Sequence, residues 1–229
     1  MKILQGNIFT STCQTQVNTI NCVGVMGAGI ALEFKLRYPD MFTKYLSLCE
    51  QKQIEIGKLW LYKNTENWVL NFPTKQHWKY PSKLDYLQRG LDKFVQTYQE
   101  RGIESIAFPL LGAAKGGLPE DKVLILMERC LKNCTIPVEV YQYDPAATDD
   151  LFIQFRLRIL ESSDADLIQL SGLRKQAINK LSDALMDQRI CTISQLSTVP
   201  GIGAVTLEKA FALMRTPAQA QQQSIFDLD

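Results

Sequence analysis

The sequence predicts an α/β domain built on a mixed or mainly parallel sheet with helices on both faces, followed by a smaller all-helical domain. Three observations carry this. Short β-branched and apolar runs alternate with helical patterns through residue 145. Two glycine-rich loops each follow such a run, so both belong at strand C-terminal ends, where open α/β sheets bind ligands. From about Asp150 onward the pattern is helical throughout.

The elements follow in order. Met1–Gln5 is a short apolar strand closed by Gly6 and Asn7. Thr15, Val17, Thr19 and Ile20 are mostly β-branched and place a second strand over Val17–Asn21. Gly24, Gly27 and Gly29 then fall within six positions, and Ile30, Ala31, Phe34 and Tyr38 recur at helical spacing. Pro39 opens a further helix with Met41, Phe42, Tyr45, Leu46 and Cys49 on one face. Leu59–Tyr62 and Trp68–Phe72 read as paired strands with residues 64–67 as their turn. Residues 73–81 form a polar, aromatic loop. Ser82, with Asp85 three residues on, has the pattern of a capping box for a helix that buries Leu84, Leu87, Leu91, Phe94 and Val95. Ser105–Leu110 is a strand, residues 112–119 are the second glycine-rich loop, and Glu120–Cys130 is a helix with acidic residues in its first turn. Ile136–Tyr141 is the last strand, ended by Asp144 and Pro145.

A strand, a glycine turn and a helix start form an anion-binding arrangement. Glycines let the backbone come close, and free helix N–H groups point at the anion. Val25-Met26-Gly27-Ala28-Gly29 lacks the third glycine of a dinucleotide fingerprint, and no Gly-Lys-Ser/Thr follows, so it is not a P-loop. The same glycines would also serve a purely structural turn. The amides of Asn18 and Asn21, just before the loop, favour a ligand mouth.

Bulk properties exclude several classes. The net charge is +1, so no overall field draws the chain to nucleic acid or membrane. No apolar run has membrane-spanning length. Six cysteines without a CxxC pair, and a single histidine, His77, argue against a metal site; without a secretory signal the thiols are expected to be reduced in a cytoplasmic protein.

Residues 196–211 resemble a helix-hairpin-helix motif with Pro200-Gly201-Ile202-Gly203 as the hairpin, and residues 167–173 resemble a weaker copy without the second glycine. The resemblance implies a DNA phosphate held by the hairpin N–H groups of Gly201 and Gly203, with DNA contact through residues 196–213. From residue 151 onward, eight Lys/Arg stand against eight Asp/Glu, which equally suits a structural or protein-docking role. In the tail, Gln222-Gln223-Ser224-Ile225-Phe226 is similar to the peptide by which bacterial DNA-repair proteins dock on the sliding clamp.

Four stretches in order carry a stronger resemblance: Gly6-Asn7-Ile8-Phe9, residues 18–35, residues 71–82, and residues 109–118. They resemble a macrodomain of the DNA ADP-ribosyl glycohydrolase, DarG-type antitoxin branch. That implies a three-layer α/β/α macrodomain over residues 1–147; the helix-hairpin-helix resemblance places a helical domain over 148–215, and the polar composition beyond it reads as a flexible tail over 216–229. The implied activity is removal of ADP-ribose from thymidine in DNA, with no cofactor and with a cognate ADP-ribosyltransferase toxin as an implied partner. A non-catalytic ADP-ribose reader, or a hydrolase of O-acetyl-ADP-ribose or ADP-ribose phosphate, are the rival activities.

The resemblance assigns roles by position. Asn7 stands where the family usually has an aspartate that accepts the adenine amino group, with Ile8 beside it. Asn21 contacts the ribose nearest the scissile bond. The backbone of Gly24, Val25, Met26, Gly27 and Gly29 cradles one face of the diphosphate, and Leu111, Gly112, Ala113, Ala114, Lys115, Gly116 and Gly117 cover the other. Lys35 reads as a solvated charge. Lys75 is the expected catalytic group, acting at the anomeric carbon as a neutral amine, which needs a pKa lowered by desolvation or by cations such as Lys79 and Lys83. A plain phosphate or base contact is its alternative role. His77 and Trp78 stack on the modified base or pack their loop. Related eukaryotic enzymes carry an aspartate near the position of Gly116; here that loop has no carboxylate.

Overall fold

A computed structural model describes residues 1–65 and 67–214. Glu66, in the expected turn, and the whole tail with its clamp-like peptide lie outside the described residues. The N-terminal part contains strands β1 (Lys2–Gly6), β2 (Thr15–Asn21), β3 (Trp60–Tyr62), β4 (Trp68–Lys75), β5 (Ile106–Pro109) and β6 (Val138–Tyr143). Its helices are α1 (Gly29–Arg37), α2 (Pro39–Glu50), α3 (Leu84–Thr97) and α4 (Glu120–Leu131). The sheet runs β1-β6-β5-β2-β4-β3 and is parallel except for β3, which pairs antiparallel with β4. It is therefore the mixed sheet that the alternation of elements predicts. The C-terminal ends of β1, β6, β5, β2 and β4 share one edge.

Apolar layers pack on both faces. Leu87, Leu91 and Phe94 of α3 and Val123 and Met127 of α4 meet Leu70, Phe72 and Phe108 on one side. Phe34, Met41 and Tyr45 meet Ile20 and Val69 on the other. Gly90 lies in the middle of α3, and a β-carbon there would overlap the Phe72 ring. The glycine lets the helix lie flat on β4.

Ser82 does not cap α3. The helix starts at Leu84 with Lys83 at the cap position and no side-chain cap bond. Ser82 is buried instead against the second glycine loop, its N–H donating to Gly116 O at 3.0 Å. Its hydroxyl has no hydrogen-bond partner among the described residues. The long-range contact outcompetes the local motif.

The remaining helices are α5 (Asp150–Glu161), α6 (Asp164–Ser171), α7 (Lys175–Met186), α8 (Ile193–Leu196) and α9 (Ala204–Phe211). Two helix–turn–helix pieces pass through glycines at positive φ, Gly172 at 63° and Gly201 at 89°. Their core contains Phe155 stacked on Phe211 at 4.4 Å, Leu181 and Leu207. It also contains Leu32 and Leu36 of α1. Polar contacts reinforce this seam. Glu33 Oε1 accepts from the N–H and hydroxyl of Ser194 at 3.1 and 2.6 Å. Tyr143 and Thr192 share a hydroxyl hydrogen bond at 2.9 Å. Lys35 is not a solvated charge: it pairs with Glu208 at 2.6 Å and lies over the Phe42 ring.

Replacing Gly90 with alanine gains helix propensity of about 1 kcal/mol. It overpacks Phe72 at a typical cost of about 1–3 kcal/mol. The overlap is the larger effect, so Gly90→Ala is expected to melt several degrees below wild type by calorimetry; an unchanged or raised transition would contradict this packing.

Candidate active site

The first glycine loop is held by Asn21, the last residue of β2. Asn21 Oδ1 accepts from the N–H groups of Val23 and Val25 at 3.1 and 3.3 Å, and its Nδ2 donates to Val25 O at 2.5 Å. Tyr45 of α2 supports it from below, donating to the Asn21 carbonyl at 2.7 Å. Burial pushes the Tyr45 phenol well above its ordinary pKa, so it remains a neutral donor. Met26 plugs the loop into the apolar layer, while Val25, Gly27 and Ala28 stay exposed. Gly24 has φ 80° and lies over Leu46, which explains why glycine is needed there.

Asn18, expected at the mouth, is fully buried. Parallel pairing aligns it with Asn71 of β4, to whose Oδ1 it donates at 2.9 Å. It sits three residues before the strand end, so only Asn21 reaches the edge. Asn21 in turn organises the loop, and much of its hydrogen-bonding capacity is already used there.

The second loop is wound tightly. Gly112 has φ 64° and Gly117 φ 76°. Leu118 N–H donates to Gly112 O at 3.1 Å and Gly117 N–H to Ala113 O at 2.9 Å. Gly116 is buried against Gly112, and a β-carbon there would overlap the Gly112 backbone. This wound form therefore excludes any side chain at Gly116, including a carboxylate. Leu111 is fully buried in the core, so its expected ligand contact is limited to backbone. Met26 and Ile8 are buried likewise. Ala114, Lys115 and Gly117 are exposed.

Lys75 joins the two loops. A register shift between Ile20 and Asn21 sets Asn21 opposite Lys75. The Lys75 ammonium donates to the Lys115 carbonyl at 2.5 Å. Gly29, where α1 begins, faces the Lys115 side chain, with a would-be β-carbon 3.7 Å from Lys115 Cγ. Asn21, the α1 start, the second loop and Lys75 thus surround one space. Desolvation holds the Lys75 pKa below the ordinary lysine range. Lys79 and Lys83 play no part in that shift; their ammonium groups lie over the rings of Trp78 and Tyr86.

Directly after Lys75, His77 stacks on Trp78 at 5.7 Å and tilts toward Tyr80 at 5.5 Å. Trp78 is 47% exposed and Tyr80 65%. Such exposed rings beside cations suit stacking of a nucleobase. At the far side of the edge, Asn7 is buried, with Phe9 N–H donating to its Oδ1 at 3.1 Å. Gly201 and Gly203 lie elsewhere, in the turn between α8 and α9, where Lys180 approaches Gly201. Among the described residues no cluster of three His, Cys, Asp or Glu could hold a metal, and no helix is long and apolar enough to cross a membrane.

Comparison with known proteins fits this geometry. The Macro domain family matches residues 17–127. The structure described as the macrodomain of Mycobacterium tuberculosis DarG is 37% identical with a TM-score of 0.59, covering 61% of this chain and 95% of that one. This chain belongs to the macrodomain family. The macrodomain is also similar to a Thermus aquaticus DNA ADP-ribosyl glycohydrolase, 39% identical over 180 residues, which cover 76% of this chain and 50% of the relative. That share exceeds the residues up to β6, so the similarity runs into the C-terminal helices. Thermosipho africanus DarTG, solved in complex with ADP-ribose, is 37% identical with a TM-score of 0.58, covering 62% of this chain and 42% of that one. The chain thus spans half or less of the length of these longer relatives.

Within this macrodomain, Tyr45→Phe removes the donor to the buried Asn21 carbonyl, at a typical cost of about 1–3 kcal/mol. Amide exchange at Val23 and Val25 is expected to accelerate in that variant; unchanged protection would show that Asn21 holds the loop alone.

Proposed function

We propose that this protein is a cytoplasmic DNA ADP-ribosyl glycohydrolase that removes ADP-ribose from thymidine bases. The observation that carries this is the placement of Lys75, partly desolvated and without a carboxylate partner among the described residues, between two glycine loops at one sheet edge. The similarity to relatives named for this activity supports it.

In this reading the backbone around Gly24–Gly29 and Gly112–Gly117 cradles the diphosphate, with the α1 N–H groups supplying positive potential. Asn7 and Ile8 receive the adenine. Asn21 keeps the first loop in place and offers its remaining N–H to the distal ribose. His77 and Trp78 stack on the modified base. The bond from the anomeric carbon to the base nitrogen breaks with its electron pair leaving on the nitrogen, which then takes a proton from water. Positive charge builds on the anomeric carbon, where the neutral Lys75 amine acts. Trapping by Lys75 followed by hydrolysis, or direct attack by water, both complete the reaction without a carboxylate in the second loop. The substrate requires a DNA ADP-ribosyltransferase upstream, and such a toxin is the proposed partner. The helix–turn–helix pieces, with Gly201 and Gly203, are proposed to contact DNA phosphates.

A specific contact favours a second reading. Lys75 Nζ is engaged by the Lys115 carbonyl, away from any reacting atom, which suits a site that binds ADP-ribose without cleaving it.

Single-turnover release from a thymidine-ADP-ribosylated oligonucleotide separates these readings. Lys75→Ala is expected to lower the rate by about 100-fold or more. Equal release by the variant would remove Lys75 from the chemistry. Tight ADP-ribose binding without release would establish the reader, and activity confined to O-acetyl-ADP-ribose or ADP-ribose phosphate would move the substrate to free metabolites.

The pH dependence follows from the sign of the Lys75 shift. A lowered pKa enlarges the neutral fraction at any pH below it, so release is expected to rise with pH and to level off below the range where an exposed lysine titrates. A rate that falls over that range would contradict the neutral-amine role.

A further inference from the structure

We propose that Asp149, at the head of the C-terminal helices, locks the orientation of the Asn7 amide and so makes the site select a base with an exocyclic amino group. The inference rests on the ADP-ribose reading above.

The sheet order supplies the frame. The two glycine loops follow β2 and β5 in the middle of the sheet, Lys75 ends β4 on one side, and Asn7 follows β1 on the other. A ligand with its diphosphate on the loops and its reacting ribose at Lys75 extends its base toward Asn7. An asparagine there is ambiguous, because its amide can present either an oxygen or an NH2 group to a base.

The structure removes that ambiguity. Asn7 Nδ2 donates to Asp149 Oδ2 at 2.8 Å and to Ala147 O at 3.4 Å. On the other side, Asn7 Oδ1 accepts from Phe9 N–H at 3.1 Å. Flipping the amide would set its oxygen against a carboxylate oxygen. The carboxylate itself does not give way. Asp149 is buried, and its Oδ1 accepts from Arg37 Nη2 at 2.6 Å and from Phe152 N–H at 3.0 Å. Arg37 is fixed in turn over the Phe9 ring at 3.9 Å.

Two consequences follow for recognition. Asn7 Oδ1 keeps a second lone pair, and it can serve only as an acceptor. Donation into a charged, buried carboxylate also polarises the amide and strengthens that oxygen as an acceptor. A neutral asparagine thereby takes on the acceptor character of an aspartate, with the charge placed one group behind it. Adenine, which donates through its amino group, is accepted. Hypoxanthine, which presents an oxygen at that position, is rejected. Asp149 acts through Asn7 and is a positioning residue.

The test is calorimetric titration with ADP-ribose and with inosine-diphosphate-ribose, run beside thermal melting. Wild type is expected to prefer ADP-ribose by roughly tenfold or more, the size of one mismatched buried polar contact. Asp149→Ala is expected to lower the ratio, because the amide orientation is then held only by the Phe9 N–H and the Ala147 carbonyl. Asn7→Asp alone sets two carboxylates face to face, and melting temperature and affinity should fall. The swap Asn7→Asp with Asp149→Asn restores the donor–acceptor pair and keeps the N-cap of α5, and should recover both properties together with the preference. A purely structural Asp149 would move the melting temperature and leave the base ratio unchanged; that result, or a swap no better than Asn7→Asp, overturns the inference. Wild type failing to bind ADP-ribose overturns the functional reading and this inference with it.

Discussion

The register shift near the end of β2 sets the site. Up to Ile20 the strand runs in step with β4, and the shift then places Asn21 opposite Lys75 instead of one residue earlier. Asn21 can therefore turn its amide into the first glycine loop while Lys75 points across to the second. Both loops and the lysine come from different parts of the chain; the sheet order sets their strand ends side by side, and this irregularity places Asn21 against Lys75.

The loops are shaped by different means. The first is organised from outside, by a buried amide and a buried phenol that satisfy its backbone groups. The second is organised from within, by glycines packed so closely that no side chain fits at Gly116. The winding thus leaves no room for a carboxylate at Gly116. A lysine desolvated beside such a loop lacks a carboxylate there to hold its proton, and a neutral amine is the useful form for chemistry at an electron-poor carbon.

Much of this was legible in the sequence because it rests on local pattern. β-Branched runs, glycine spacing and helical periodicity located the strands and both loops, with strand ends displaced by up to three residues: β4, expected to stop at Phe72, runs on through Pro73 and Thr74 to Lys75, paired with β2. What escaped was set by distant partners. Ser82 has the local signature of a cap, yet it is buried against the second loop, with its N–H donating to Gly116 O and its side chain packed beside Gly112. Lys35 appears as one more surface charge until Glu208 arrives from the C-terminal helices. Asn18 and Asn21 look equivalent as letters; their positions along β2 separate a buried pair from an edge residue. Gly90 draws no notice in the helical pattern of α3, and only the Phe72 ring shows why a glycine is there. No sequence pattern links Asn7 to Asp149.

The C-terminal helices are joined to α1, the helix that starts at the first glycine loop, through a shared apolar core and several buried polar contacts. They consequently stabilise the site whatever else they touch. The central claim is that both loops and Lys75 form one ADP-ribose site, and an NMR titration with ADP-ribose tests it most directly. The backbone amides of Gly27, Gly29 and Ala114–Gly117 and the Lys75 side chain should shift together along a single saturation curve, with Gly201 and Gly203 unmoved. Saturable binding that leaves either loop unperturbed would contradict the account.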